Sequence, residues 1–209
     1  MTAQQVVDRY IQAIGGKDAV AKIKTIRTVA EGNIQGQPMK MTFLSTIYDQ
    51  SKMEVSAGGM VMQQIIYSKG AGIQEAMGQK QSLGETEIEG MKESGVPIKE
   101  ARFAEMGIKL ALKSIEVVDG VEAYKVLATS PSGKETTYYF NADTGLKMQE
   151  MTSQGGMSVT SKYEDYKEVD GVKFSHKLTQ LGVAPFPLEF KVTELKTNVI
   201  LDEDAFDTK

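Results

Sequence analysis

His176 is the one histidine in the chain, and cysteine and tryptophan are absent. It lies in Phe174-Ser175-His176-Lys177-Leu178, where a strand's period of two places it on one face with Phe174 and Leu178. A nucleophilic triad needs a base oriented by a third group, and a metal centre needs several converging ligands. With no thiolate and no second imidazole, carboxylates alone would have to hold a metal. His176 therefore reads as a structural side chain satisfied by its neighbours.

The acids are no better placed for chemistry. Tyr163-Glu164-Asp165-Tyr166-Lys167-Glu168 brings carboxylates together in sequence, and glycosidases use such pairs. In a strand, however, Glu164 and Asp165 point to opposite faces, Tyr163 joining Asp165 and Tyr166 joining Glu164. Asp202-Glu203-Asp204 lacks the glycine and the terminal glutamate of a calcium loop. Gly58-Gly59 and Gly155-Gly156 lack the spacing and the following Lys-Ser/Thr of a phosphate loop. No catalytic residue, metal or cofactor is expected, and the chain is not read as an enzyme.

The elements that would position any site are mostly strands. Val6, Val7, Tyr10, Ile11 and Ile14 make one helical stripe, with Thr2 as N-cap and Gly15-Gly16 as the stop. A shorter helix follows from Lys17. Strand-length runs rich in Val, Ile, Tyr, Phe and Thr then alternate with turns such as Val118-Asp119-Gly120-Val121, Ala142-Asp143-Thr144-Gly145, Gln154-Gly155-Gly156 and Val169-Asp170-Gly171-Val172. Glu85–Glu93 and Ile98–Met106 read as two surface helices inserted between the strand blocks, and Leu201–Phe206 as an acidic tail. The expectation is an α+β protein: a single curved antiparallel sheet of about eleven strands, covered by short helices. No shift in composition marks a boundary, so residues 1–209 read as one domain, large enough to bury a core without cross-links.

The net charge of -4 at pH 7 argues against a nucleic-acid partner. No apolar run is long enough to span a bilayer. The chain opens directly on an amphipathic helix, without the basic and apolar segments of a leader.

Methionine stands out, with 12 in the chain. In Met39–Ile47 the alternation places Met39, Met41, Phe43 and Ile47 on one face, and Met53 continues it in the next strand. Methionine is flexible and polarisable and suits surfaces that accept varied apolar ligands. Such a sheet needs its apolar face covered, and a shortfall in cover would leave an apolar cavity.

Three segments resemble a known family. Ala13-Ile14-Gly15-Gly16-Lys17-Asp18-Ala19-Val20-Ala21-Lys22-Ile23-Lys24 is similar to the opening of periplasmic lipoprotein carriers of the LolA/LolB type. The resemblance recurs at Tyr139-Phe140-Asn141-Ala142-Asp143-Thr144-Gly145-Leu146 and from Tyr163 to Phe174. It implies an unclosed β-barrel with helices over a hydrophobic hollow, and a protein that carries lipoprotein acyl chains or binds similar ligands. It also implies a periplasmic or envelope address, with any secretion leader removed. Related domains are appended to insulinase-type zinc proteases. With no His-x-x-Glu-His pair, this chain would be the non-catalytic part there.

The residues expected to line the hollow are Met39, Met41, Phe43, Ile47, Met53, Met60, Met62, Ile66, Met91, Phe103, Met106 and Met148. Carriers of this type hold the lid with an arginine; of Arg9, Arg27 and Arg102, Arg27 on the first strand is the candidate. The expected function is non-enzymatic: binding of lipid or lipoprotein acyl chains by a monomer. The alternative is an accessory interaction domain of a larger envelope protein, with a filled core and no ligand.

Overall fold

The structure, a computed structural model, describes every residue except Gly155, Glu203 and Lys209. The Gln154-Gly155-Gly156 turn and the Asp202-Glu203-Asp204 triplet thus fall partly outside the described residues. Contacts divide the chain into two compact units. A helix-capped unit comprises Met1–Ala21 with Glu100–Glu189, and a methionine unit comprises Lys22–Lys99 with Phe190–Lys209.

The helix-capped unit holds α1 (Ala3–Ala13), α2 (Lys17–Ala21) and a 3-10 turn (Lys99–Arg102). Its strands are β7 (Lys109–Val118), β8 (Val121–Thr129), β9 (Glu135–Asn141), β10 (Lys147–Gln154), β11 (Met157–Val169) and β12 (Val172–Leu181). The methionine unit holds β1 (Thr25–Ile34), β2 (Gln37–Thr46), β3 (Gln50–Ala57), β4 (Met60–Ser68), β5 (Ala71–Ala76), β6 (Gln79–Ser82), α3 (Glu85–Ser94) and most of β13 (Leu188–Thr197). The thirteen strands make one antiparallel sheet, in the order β6-β5-β4-β3-β2-β1-β13-β12-β11-β10-β9-β8-β7, unclosed because β6 and β7 are its edges. The sequence led us to expect about eleven strands; the short β5–β6 hairpin at the edge accounts for the difference. The expected helix over 98–106 is only the 3-10 turn, because Ile98 takes φ +47°, outside the helical region, and Gly107 takes φ +68° soon after.

In the helix-capped unit, α1 starts with a closed capping box. The Gln5 N–H donates to the Thr2 hydroxyl at 3.2 Å, and the Thr2 N–H donates to Gln5 Oε1 at 2.7 Å. Its stripe of Val6, Val7, Tyr10 and Ile11, with Ile14 at the C-cap, is buried. The helix end is locked onto the β11–β12 turn. The Lys173 N–H donates to the Ile14 carbonyl at 2.7 Å, and Gly15 takes φ +138°. A Cβ on Gly15 would stand 2.2 Å from the Gly171 carbonyl oxygen, so only glycine fits there. On its other side Arg9 donates to the Asp143 carbonyl at 2.7 Å, and the Tyr10 and Phe140 rings lie 5.4 Å apart. The three segments that carry the family resemblance therefore meet around one helix. They encode how α1 docks.

In the methionine unit the sheet has two unlike faces. Leu44, Ile66 and Ile73 are covered by Leu201, Ala205 and Phe206 of the C-terminal segment, so the acidic tail docks. Facing the other way are Met39, Met41 and Phe43. The helix of this unit, α3, buries none of its own residues. It ends at Gly95 against Ser51, where an added Cβ would come within 2.6 Å of the Ser51 Cβ.

Candidate functional site

Strand register assembles the methionine face. Met39, Met41 and Phe43 of β2 stand opposite Ala57, Val55 and Met53 of β3, and Met53 stands opposite Ile65 of β4. Directly opposite residues share a face. The result is an apolar strip three strands wide whose seven side chains are all half-buried, neither sealed in a core nor free in solvent. At one end it runs out to the β3–β4 hairpin, where Met60 and Val61 are exposed at 69% and 54%. At the other end the same face turns polar. Ser45 stands opposite Ser51, and Ser51 opposite Tyr67, and all three are buried.

Each expected lining residue has a definite place. Met39, Met41, Phe43 and Met53 come together as the alternation predicts. Ile47 lies just past the end of β2, half-buried, its N–H donating to the Lys24 carbonyl at 2.9 Å. Met62 sits at the β4 irregularity, between Val61 and Gln63, and is half-buried. Ile66 is buried on the opposite face, in the cluster with Phe206. Met91, on α3, lines a small cavity beside Ser51 and Tyr67. Phe103, Met106 and Met148 belong to the helix-capped unit, where Phe103 is buried 5.5 Å from the Tyr138 ring and the two methionines are half-buried. Arg27 stands on the same face as Leu44, away from the methionines, in a cross-strand ion pair with Glu194.

A second constellation escaped the sequence reading altogether. In the helix-capped unit Lys147 Nζ lies 2.6 Å from Glu100 and 3.4 Å from Glu150, with the Lys147 and Glu100 side chains 9% and 3% exposed. The ammonium sits 4.1 Å from the Tyr163 ring centre and 5.8 Å from that of Tyr138. Tyr166 donates to the Lys147 carbonyl at 2.9 Å. Burial alone would lower the Lys147 pKa, but Glu100, Tyr163, Glu150 and Tyr10 together hold it well above the ordinary lysine value. Burial also pushes the Tyr10 and Tyr166 hydroxyls up. A lysine held charged in this way offers no lone pair for attack, so the cluster is a buried clamp. It ties the 3-10 turn to β10.

Tyr163 and Tyr166 both reach this clamp, although strict alternation puts them on opposite faces. Asp165 between them takes φ +54° and breaks the alternation. His176 makes a local contact, its Nδ1 donating to the Phe174 carbonyl at 2.9 Å. Among the described residues no group of three or more His, Cys, Asp or Glu side chains could hold a metal, and no helix is long and apolar enough to cross a membrane.

Solved structures reproduce this architecture. A DUF1329 family protein from Desulfovibrio piger superposes with a TM-score of 0.66 at 12% identity, covering 99% of this chain and 97% of that one. A LolA superfamily protein from Nitrosomonas europaea gives 0.65 at 12% identity over 100% and 98% of the two chains. An outer membrane lipoprotein-sorting protein domain from Vibrio parahaemolyticus gives 0.61 at 11% identity over 98% and 96%. No family model matches the sequence, and no curated protein does. At such identities the likeness shows the fold alone, the unclosed antiparallel sheet that the three sequence segments led us to expect. Function has to be argued from the site.

Proposed function

We infer that the chain is a non-enzymatic protein of the cell envelope that holds an acyl chain, or a ligand of similar apolar character, on the methionine face. One observation carries the reading: Met39, Met41, Phe43, Met53, Val55 and Ile65 form a continuous apolar strip that remains half-exposed. Removing such a strip from water contributes roughly 25 cal/mol per Å2, and a bound acyl chain gains about 0.8 kcal/mol per buried CH2 without directional contacts. No constellation of polar groups is then required. The lipoprotein-sorting domain with the same fold supports the acyl reading and the envelope address.

Displacement of a fluorescent fatty acid by unlabelled lipid tests this. Saturable binding at micromolar protein, weakened by Phe43→Ala, is expected; absence of saturable binding rules it out.

A specific observation favours a second reading, an accessory domain that docks an apolar protein segment. The cavity beside Ser51, of about 10 Å3, and the cleft beside Gln12 and Lys17, of about 470 Å3, are lined mainly by polar residues and not by the strip. An open strip also accommodates a protein side. Native mass spectrometry after mild purification separates the two, a co-purified lipid mass supporting the first.

A further inference from the structure

The methionine strip has a direction. Moving along β2 and β3 from the hairpin end, the rows are Met39 with Ala57, Met41 with Val55, Phe43 with Met53, and then Ser45 with Ser51. Six residues of strand separate the first row from the last, roughly 20 Å. The exposed methionine end carries no charge: Ala57, Gly58, Gly59, Met60, Val61, Met62 and Gln63 are all uncharged, and Met60 is 69% exposed. The serine end is buried, and its polar groups are unevenly satisfied. Tyr67 donates to Asp49 Oδ1 at 2.7 Å and accepts from the Gly70 N–H at 3.3 Å. Ser51 is 1% exposed, and its Oγ has no hydrogen-bond partner.

That hydroxyl borders a cavity of about 10 Å3, lined also by Thr46, Asp49, Tyr67, Met91 and Gly95. The volume is on the scale of one water-sized atom. A buried hydroxyl without a partner is costly, and native proteins rarely leave one so. Gly95 keeps the space in being, because any larger residue would press on Ser51. The cavity lies one pleat repeat beyond Phe43 and Met53 on the same face.

We propose that Ser51 is the polar anchor of the apolar strip, holding one uncharged oxygen at the end of a chain-like amphiphile whose hydrocarbon runs over Phe43, Met53 and Met41 towards Met60. The proposal rests on the acyl-binding reading and adds the ligand's direction and the chemistry of its end. A single oxygen suits the cavity. A carboxylate brings a second oxygen and a negative charge towards the Asp49 carboxylate; Lys92, also on the cavity wall, is exposed and balances that charge only through solvent. A hydroxyl both donates and accepts, as Ser51 does. With no ligand bound, one water would satisfy the Ser51 hydroxyl.

The test is a displacement series with 1-dodecanol, dodecanoate and dodecane on the wild type, Ser51→Ala and Ser51→Cys. The expected result is tightest binding for 1-dodecanol and a loss of roughly three- to tenfold for that ligand alone in Ser51→Ala, the worth of one hydrogen bond. Dodecane affinity should not change. Equal losses for all three ligands, or no loss for 1-dodecanol, overturn the anchor while leaving the strip as a binding face. Failure of every ligand, dodecane included, to bind the wild type overturns the acyl reading and the anchor with it. Ser51→Cys fills the space that alanine leaves, replaces the hydroxyl by a weak thiol donor, and supplies the comparison if the alanine variant does not fold.

Discussion

Phe140 and Phe43 are both strand phenylalanines on apolar sheet faces, yet Phe140 is 1% exposed and Phe43 is half-buried. The difference lies in what covers them. Phe140 is met by Tyr10 of α1, and the buried set continues through Tyr138, Phe103 and Val126. The helix doing the covering is held by a capping box, a glycine lock and an arginine. In the methionine unit the helix α3 begins at Gly84, which has no side chain to cap it, and buries none of its residues. One unit spends its helix on closing a core, whereas the other keeps a face half-open. A filled core in one unit and an available face in the other is what a protein needs if it is to stay folded while exchanging apolar ligands.

The comparison can be broken most directly at the clamp. Glu100→Ala leaves the buried Lys147 ammonium with Glu150 alone at 3.4 Å, and urea unfolding is expected to show a loss of about 3–5 kcal/mol. Replacing Glu100 and Lys147 together by methionine should cost far less, because neither charge is then stranded. A loss below about 1 kcal/mol for Glu100→Ala would mean that the clamp does not close this unit.

The glycine lock comes next. Gly15→Ala meets both the positive φ and the Gly171 carbonyl, and a loss of about 2 kcal/mol or more is expected. A variant as stable as the wild type in thermal unfolding would show that α1 docks without this contact.

Alkaline pH should weaken the folded state next. The unfolded chain releases tyrosine and lysine protons near pH 10, whereas folded Tyr10, Tyr166 and Lys147 hold theirs to higher pH. Stability is therefore complete below about pH 10 and falls as pH rises beyond it, by about 1.4 kcal/mol per pH unit for each such proton. Tyr67, pushed up to about 12 by burial and its bond to Asp49, adds to the loss between those values. Urea midpoints at successive pH values, with tyrosinate absorbance followed in parallel, check the sign. Tyrosine ionisation near pH 10 with no loss of stability would refute it.

The smallest expected effect is the most informative about function. Phe43→Ala should cost only about 1 kcal/mol, because the ring is already half in water, while Phe103→Ala in the closed unit should cost about 3–5 kcal/mol. Acyl-chain displacement should respond to the first substitution and not to the second. Equal stability costs at the two positions would erase the distinction between the units.

Much of this was legible in the sequence because it rests on local periodicity. The N-cap at Thr2, the α1 stripe, the turn-punctuated strands and the alternation of Met39, Met41 and Phe43 each follow from spacing and residue type within a few positions. The fold class followed from three segments, each partly turn chemistry, and the structure shows that they are conspicuous because α1 packs against all of them. The polar end of the strip had a faint signal: Ser45 and Ser51 continue the period of two where an apolar residue is expected.

What the chain order could not convey is partnership across long separations. Glu100 and Lys147 are two ordinary charges 47 positions apart until β10 and the 3-10 turn bring them within 2.6 Å. Ile66 looked like one more strand residue of the lining, and only the register, together with the C-terminal segment packed on it, places it on the opposite face. Nothing in the methionine pattern says whether that face is sealed or half-open, since exposure depends on what a separate element covers. Within an uninterrupted strand such as β2, the sequence by itself determined which residues share a face, because side-chain direction there is a local property. The tertiary structure alone decided which faces are closed, because closure depends on contacts between distant segments.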